Sequence, residues 1–390
     1  MLEAHFPKRI VYGQGSIRFL ETLDAERVYL LVDEVFHQHN AALFADLDAL
    51  FAARGSRTML QFGEGHEPTL DFAKQISGRL RAFAPDLILA IGGGSILDTA
   101  KVLEVFYEHP DITDQALYDR FHLPPIRRKA KLVAVPTTSG SGSEVTPFSV
   151  MYVASGNPSI PSIKRGIADY QFIPDHVILD PAFTLTMPLG VTAATGLDAF
   201  VHAMEAFVSV KPKNLFGDHF ALEGMRRVHR FLPLVLKQPD NLDYRSQMQI
   251  AATMGGLALA NRSSGGSHAV GKQLATLCPL AHGLSVSIML PDVIRANAVV
   301  RAPEYAEIAR YLGSEATDEQ AAIADLIGMI DGLLTAARCP RTLADLRLDK
   351  QTLVDHADLL AQNSLADAAM KGNPRVLSHD EVKQMFLNLA

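Results

Sequence analysis

The chain has 390 residues, 48% of them hydrophobic and 20% charged, with a net charge of −7. That length supports two domains with separate cores, and the mildly acidic balance excludes a general attraction to nucleic acid or anionic membrane. Its two cysteines, Cys278 and Cys339, exclude a disulfide framework. With no signal-like apolar core at the start and no run of about 18 apolar residues, the expectation is a cytoplasmic protein that spans no membrane.

The first 180 or so residues alternate strand-like and helix-like segments. Short β-branched runs at 27–32 (RVYLLV), 87–91 (LILAI), 131–135 (KLVAV) and 177–180 (VILD) frame amphipathic stretches such as 69–83. This alternation predicts a parallel α/β sheet with helices on both faces. The segment 110–128 is polar and contains proline, and reads as a loop.

The first three of these strands run into turns where such sheets place ligands. Asp33 ends the first. An acid there can accept from adenosine ribose hydroxyls and repel a 2′-phosphate; a helix N-cap is the plainer role. Gly92, Gly93, Gly94 and Ser95 follow the second. Consecutive glycines let backbone N–H groups approach a phosphate, and the helix start adds its positive end. Alone, this is equally an ordinary glycine turn, and it is not the G-x-G-x-x-G fingerprint. The third turn, Pro136 to Glu144, is dense in hydroxyls. It suits phosphate or ribose, and equally a solvated loop.

Beyond Pro188 strand signals fade, and helical periodicity continues to the C-terminus, as at 191–209 and 246–260. The expected organisation is an α/β dinucleotide-binding domain at 1–183 and an all-helical domain at 184–390. Asp198 and His202 stand four apart on one helix, hence on one face. His268 and His282 follow. One Asp and three His suit Fe(II), Zn(II) or a similar divalent ion, and poorly suit Mg or Ca. Asp-x-x-x-His also arises by chance. Glu205 is expected on a solvated helix face, with support of a ligand imidazole as the alternative.

In this order the pieces resemble the iron-containing (group III) alcohol dehydrogenase family over nearly the whole chain. The resemblance rests on GGGSILDTAK from Gly92, PTTSGSGSEVT from Pro136, AATGLDAFVHAMEAFVS from Ala193, HGLSVSIMLPDVIRAN from His282 and GNPR from Gly372. It implies an NAD-binding α/β domain, a helical metal domain and an active site in the cleft between them. It implies Asp198, His202, His268 and His282 as metal ligands and pyrophosphate on Gly92–Ser95. Thr137, Thr138 and Lys164 lie near the cofactor on this reading, with Asp98, Ser141 and Thr146 in the same set and Asp33 at the ribose. The implied activity is hydride transfer between an alcohol or aldehyde and the nicotinamide, with the metal as Lewis acid. NAD is expected over NADP, in a homo-oligomer of two or more subunits.

One position departs from the family pattern. Many members carry a second histidine four residues after the first downstream ligand; here Lys272 stands there. Beside a metal a cation is unfavourable unless something negative intervenes. Lys272 is read as a contact for an anionic substrate group, as a proton-transfer group, or as turned to solvent or cofactor. Arg262 faces either the same cleft or the surface. The polar segment NRSSGGSHAVGK points to a small polar, possibly anionic, substrate. The alternatives are a dehydroquinate-synthase-type lyase that uses NAD transiently, and an inactive relative; the Asp198/His202 block speaks against the first and the full ligand set against the second.

Overall fold

The computed structural model describes residues 3–65, 67–157 and 160–389, with backbone only at 155–157, 160 and 161. It divides into two compact units: His5–Thr138 with Gly142–Met187, and Pro188–Ala390 with Met1–Ala4 and Ser139–Ser141.

The first unit is built on β1 (Arg9–Tyr12), β2 (Arg27–Val32), β3 (Arg57–Phe62), β4 (Leu87–Gly92), β5 (Lys131–Pro136) and β8 (His176–Leu179). They form one sheet in the order β1-β8-β5-β4-β2-β3, and every ladder is parallel. Parallel sheets bury both faces, which is why β2, β4 and β5 read as unbroken apolar runs. Alternate residues serve opposite faces. Val28, Leu30 and Val32 pack with Phe44, Leu47 and Phe51, while Tyr29 and Leu31 pack with Ile76, Leu80 and Leu97. The covering helices are α1 (Glu34–His39), α2 (Ala41–Ala53), α3 (Leu70–Phe83), α4 (Gly94–Glu108) and the short α5 (Asp114–Leu117).

From β2 the chain steps outward to β3 and returns to β4 on the other side of β2. The order therefore reverses between β2 and β4, and the carboxyl ends of these strands flank the position where such sheets bind ligands.

Three parts of this unit differ from the sequence reading. β1 and β3 were not legible: β1 is four residues at the sheet edge, and β3 is largely exposed. An antiparallel hairpin, β6 (Phe148–Asn157) with β7 (Ile160–Ala168), stands apart from the parallel sheet. The segment read as a loop contains α5, capped by Thr113.

The second unit is helical: α6 (Leu189–Val208), α7 (Leu215–Lys237), α8 (Leu242–Asn261), α9 (Gly266–Leu274), α10 (His282–Ile288), α11 (Leu290–Leu312), α12 (Glu319–Ala336), α13 (Leu343–Leu346), α14 (Lys350–Ala366) and α15 (His379–Leu387). From Thr192 on, α6 is buried nearly all round, the mark of a central core helix. Among the described residues no single helix is long and apolar enough to cross a membrane. Both cysteines are free and buried.

Candidate active site

Three helices of the second unit converge on the carboxylate of Asp198. Asp198 and His202 lie one turn apart on α6, His268 is on α9 and His282 opens α10. The Nε2 atoms of His202, His268 and His282 stand 3.8, 3.5 and 3.8 Å from Asp198 Oδ1. Ligand atoms of Asp198, His268 and His282 all lie within 4.8 Å of one another. Donors about 2.1 Å from one tetrahedral ion would be roughly 3.4 Å apart, so this spacing fits a shared cation. Asp198 Oδ1 and His268 Nε2 are buried, and neither makes a hydrogen bond among the described residues. Buried polar atoms are ordinarily satisfied, and a metal ion is the partner this oxygen and nitrogen set would accept.

The electrostatics agree. Asp198 and Glu205 are both buried carboxylates, and buried charge requires compensation. Burial alone would raise Asp198, but the imidazoles of His202, His282 and His268 outweigh it and hold the carboxyl well below the usual range. Burial lowers His202, which favours the neutral ring a metal needs. Burial also works against a charged His268, but Glu205 and Asp198 overcome it and push that imidazole up to about 9. The pocket therefore calls for a cation, and a metal must displace a proton from His268 to supply it.

Glu205 is not on a solvated face. It is 4% exposed and receives His268 Nδ1 at 2.6 Å. The signal was present: 198, 202 and 205 are spaced i, i+4, i+7, so all three share one helical face. Asn373 was missed as an individual residue. It is buried, accepts from Gly266 N–H at 3.1 Å and exchanges two 2.8 Å hydrogen bonds with Asn297.

The convergence requires close helix approach. A Cβ on Gly283 would lie 1.8 Å from the Ala194 carbonyl of α6 and 3.0 Å from Asp198 Cβ. Only glycine next to His282 lets α10 reach this depth.

In the sheet unit, the turns after β2, β4 and β5 adjoin. Asp33 N–H donates to Ile91 O, and Thr137 N–H to Gly92 O, both at 3.0 Å. Helix α4 starts at Gly94 with Gly93 as a cap that has no side chain, so its first N–H groups are left for a ligand. A Cβ on Gly93 would sit 3.3 Å from Thr138. Asp33 caps α1 through Oδ1, accepting from Phe36 N–H at 2.7 Å; the N-cap role is thus the one its geometry displays.

The other cofactor candidates have partners of their own. Asp98 accepts from Ser143 Oγ at 2.5 Å and Val150 N–H at 2.8 Å, and Thr146 is buried with its carbonyl receiving Lys101. Lys164 pairs with exposed Glu67 at 3.1 Å and lies over the Tyr152 ring. Ser141 lies in the segment that clusters with the helical unit.

Lys272 donates to both oxygens of Asp367, at 2.9 and 3.0 Å, so a carboxylate balances its charge. Arg262 is buried among backbone carbonyls. It is 7% exposed and donates to the carbonyls of Ala206 and Phe207 at the end of α6.

Comparison with known proteins gives concordant results. The profile described as iron-containing alcohol dehydrogenase matches residues 7–181, and that of the Fe-containing alcohol dehydrogenase family, C-terminal, matches 192–390. The chain is 31% identical over 386 residues to the NADPH-dependent butanol dehydrogenase of Clostridium saccharobutylicum, covering 99% of this chain and 97% of that protein. It is 32% identical over 418 residues to the bifunctional aldehyde-alcohol dehydrogenase of Escherichia coli K12, where it spans 46% of the longer protein. The solved structure of an iron-containing alcohol dehydrogenase from Thermococcus thioreducens superposes with a TM-score of 0.87 at 32% identity, over 99% of both chains.

Proposed function

The chain belongs to the iron-containing alcohol dehydrogenase family, and we propose that within it this protein interconverts a small polar alcohol and its aldehyde with NAD(H). Family membership makes it a metal-dependent, NAD(P)-linked alcohol dehydrogenase. On our reading Asp198, His202, His268 and His282 hold Fe(II), with Zn(II) or another divalent ion fitting the same donors. The observation that carries this is the set of three imidazole nitrogens around an Asp198 oxygen that has no hydrogen bond among the described residues. When bound, such an ion polarises the substrate oxygen, and the nicotinamide exchanges the hydride. The protein's own residues orient and exclude: His268 is held by Glu205, and Asp198 is kept ionised by the surrounding imidazoles.

The turn Gly92–Ser95 takes the pyrophosphate, with Thr137 and Thr138 beside it; Ser141 and Lys164 are the remaining contacts, and Asp98 and Thr146 support them from behind. NAD is preferred over NADP because Asp33 Oδ2, which makes no hydrogen bond among the described residues, can accept from ribose hydroxyls and repel a 2′-phosphate. The butanol dehydrogenase relative is NADPH-dependent, so the NAD preference rests on Asp33 of this chain and is not carried over from that relative. Lys272 supports a neutral polar substrate over an anionic one, since an ammonium held by two carboxylate oxygens has no unbalanced charge to offer. We place the enzyme in the cytoplasm as a homo-oligomer. The family match speaks against the dehydroquinate-synthase-type alternative.

The test is a panel of neutral and anionic aldehydes and alcohols with NAD(H) and NADP(H), on protein reconstituted with Fe(II) or Zn(II). NADH-linked reduction of small polar aldehydes is expected, with kcat/KM at least about tenfold better than with NADPH. Lys272→Ala should change the neutral-to-anionic ratio by less than about threefold. A loss of tenfold or more confined to anionic substrates returns Lys272 to substrate recognition, and no coenzyme-linked turnover with either metal overturns the reading.

A further inference from the structure

We propose that Glu205 is a positioning residue that caps the ligand-bearing helix α9 from outside and orients the His268 ring, so that metal affinity and the ligand field depend on it. This deepens the functional reading above and rests on His268 being a ligand.

The argument begins with a helix that cannot cap itself. The N-cap of α9 is Gly265, which has no side chain to offer. The N–H groups at its start are satisfied from remote parts of the chain. Gly265 N–H donates to Glu205 Oε2 at 2.8 Å and His268 N–H to Glu205 Oε1 at 3.1 Å, while Gly266 N–H goes to Asn373. A Cβ on Gly265 would lie 3.4 Å from Glu205 Oε1, so the carboxylate is seated directly against this backbone.

The same carboxylate then takes the ring. Glu205 Oε2 stands 2.6 Å from His268 Nδ1. In the neutral ring, a donating Nδ1–H leaves Nε2 with its lone pair, and Nε2 is the atom 3.5 Å from Asp198 Oδ1 that lacks a hydrogen bond. Two contacts fix the backbone of α9 and one fixes the imidazole, all from a single side chain. Glu205 shares its face of α6 with Asp198 and His202, so α6 supplies two donors and sets the position of a third. Such outer partners of ligand histidines are worth about 10–100-fold in metal affinity.

Glutamine is the discriminating substitution. It keeps one acceptor and replaces the other with an NH2 that cannot accept, so whichever way the amide turns at least one of the three donors is unpaired. The experiment uses the full-length protein and measures Zn(II) affinity by chelator competition and the visible absorption of the Co(II)-loaded form. Glu205→Gln should weaken Zn(II) binding by about 10–100-fold and shift the Co(II) bands. Asn373→Ala removes a cap of the same helix without touching the ring; it should stay within about threefold of wild type with unchanged bands. Glu205→Gln with wild-type affinity and spectrum overturns the proposal, as do equal losses in both variants, which would reduce Glu205 to a structural cap. If Glu205→Gln does not fold, Glu205→Asp, which keeps the charge but falls short of the ring, decides on the same two readouts. Wild-type protein that takes up neither ion would instead sink the functional reading itself.

Discussion

Lys101 shows how a single residue can brace a glycine turn. It lies on α4 with no exposed surface, and its Nζ donates to Ser143 Oγ at 2.8 Å, Thr146 O at 3.1 Å and Phe148 O at 2.6 Å. Asp98, one turn earlier, grips the same segment through Ser143 and Val150. The helix that begins at the glycine turn is thereby bonded to the segment that ends the third turn. Burial lowers the Lys101 ammonium to about 8, although Asp98 and Glu144 favour its charge. Below pH 8 both folded and unfolded chains carry the proton, and the folded chain bears the whole cost of the buried charge. Between about 8 and the ordinary 10.5 only the unfolded chain keeps it, so stability rises with pH across that window and levels off above it. That difference in proton affinity corresponds to about 3 kcal/mol. Urea unfolding of wild type and Lys101→Met at pH 7.5, 9 and 10.5 reads it directly: the wild-type stability should gain about 3 kcal/mol on the variant. A constant difference across the three pH values would contradict it.

At the scale of elements, glycines decide how near helices come. Gly283 on α10 and Gly271 on α9 have backbone where a side chain would go: a Cβ at Gly271 would lie 2.5 Å from Ser285 O. Gly328 on α12 has nothing within 4 Å. The same substitution should therefore have opposite signs. Gly283→Ala forces α10 off α6, costing about 1–3 kcal/mol or more and displacing His282, so metal affinity falls with stability. Gly328→Ala gains helix propensity at no steric cost and should stabilise by up to about 1 kcal/mol. Thermal unfolding and metal content of the two variants check both; a Gly283→Ala protein with wild-type metal content would show that α10 is free to move.

For the whole molecule, an ion held by the candidate donors would act as a folding ligand. Its four candidate donors are separated along the chain by 4, 66 and 14 residues and come together only when α6, α9 and α10 pack. An ion that binds only the folded state stabilises by about 2.7 kcal/mol at a hundred times its Kd. Zn(II) should raise the unfolding temperature of the apo protein, and a chelator should reverse the shift. His268→Ala should fold but lose that response. A variant still stabilised by Zn(II) as fully as wild type would remove His268 from the ligand set.

Local pattern was sufficient for the buried parallel strands, the central helix α6, the glycine turn at the head of α4 and the shared helical face of Asp198 and His202, whereas His268 and His282 joined them only through the family resemblance. Each is encoded by residues adjacent in the chain or one helical turn apart, where backbone geometry dictates the spacing. Edge strands β1 and β3 and the β6–β7 hairpin escaped, because their patterning is short or half-exposed. Tertiary structure alone decided the partners. Glu205 meets His268 across 63 residues, Asn373 meets Gly266 across 107 and Lys272 meets Asp367 across 95. At such separations the chain's local geometry imposes no distance, and only the packing of helices settles whether a carboxylate faces water, a ligand imidazole or an ammonium.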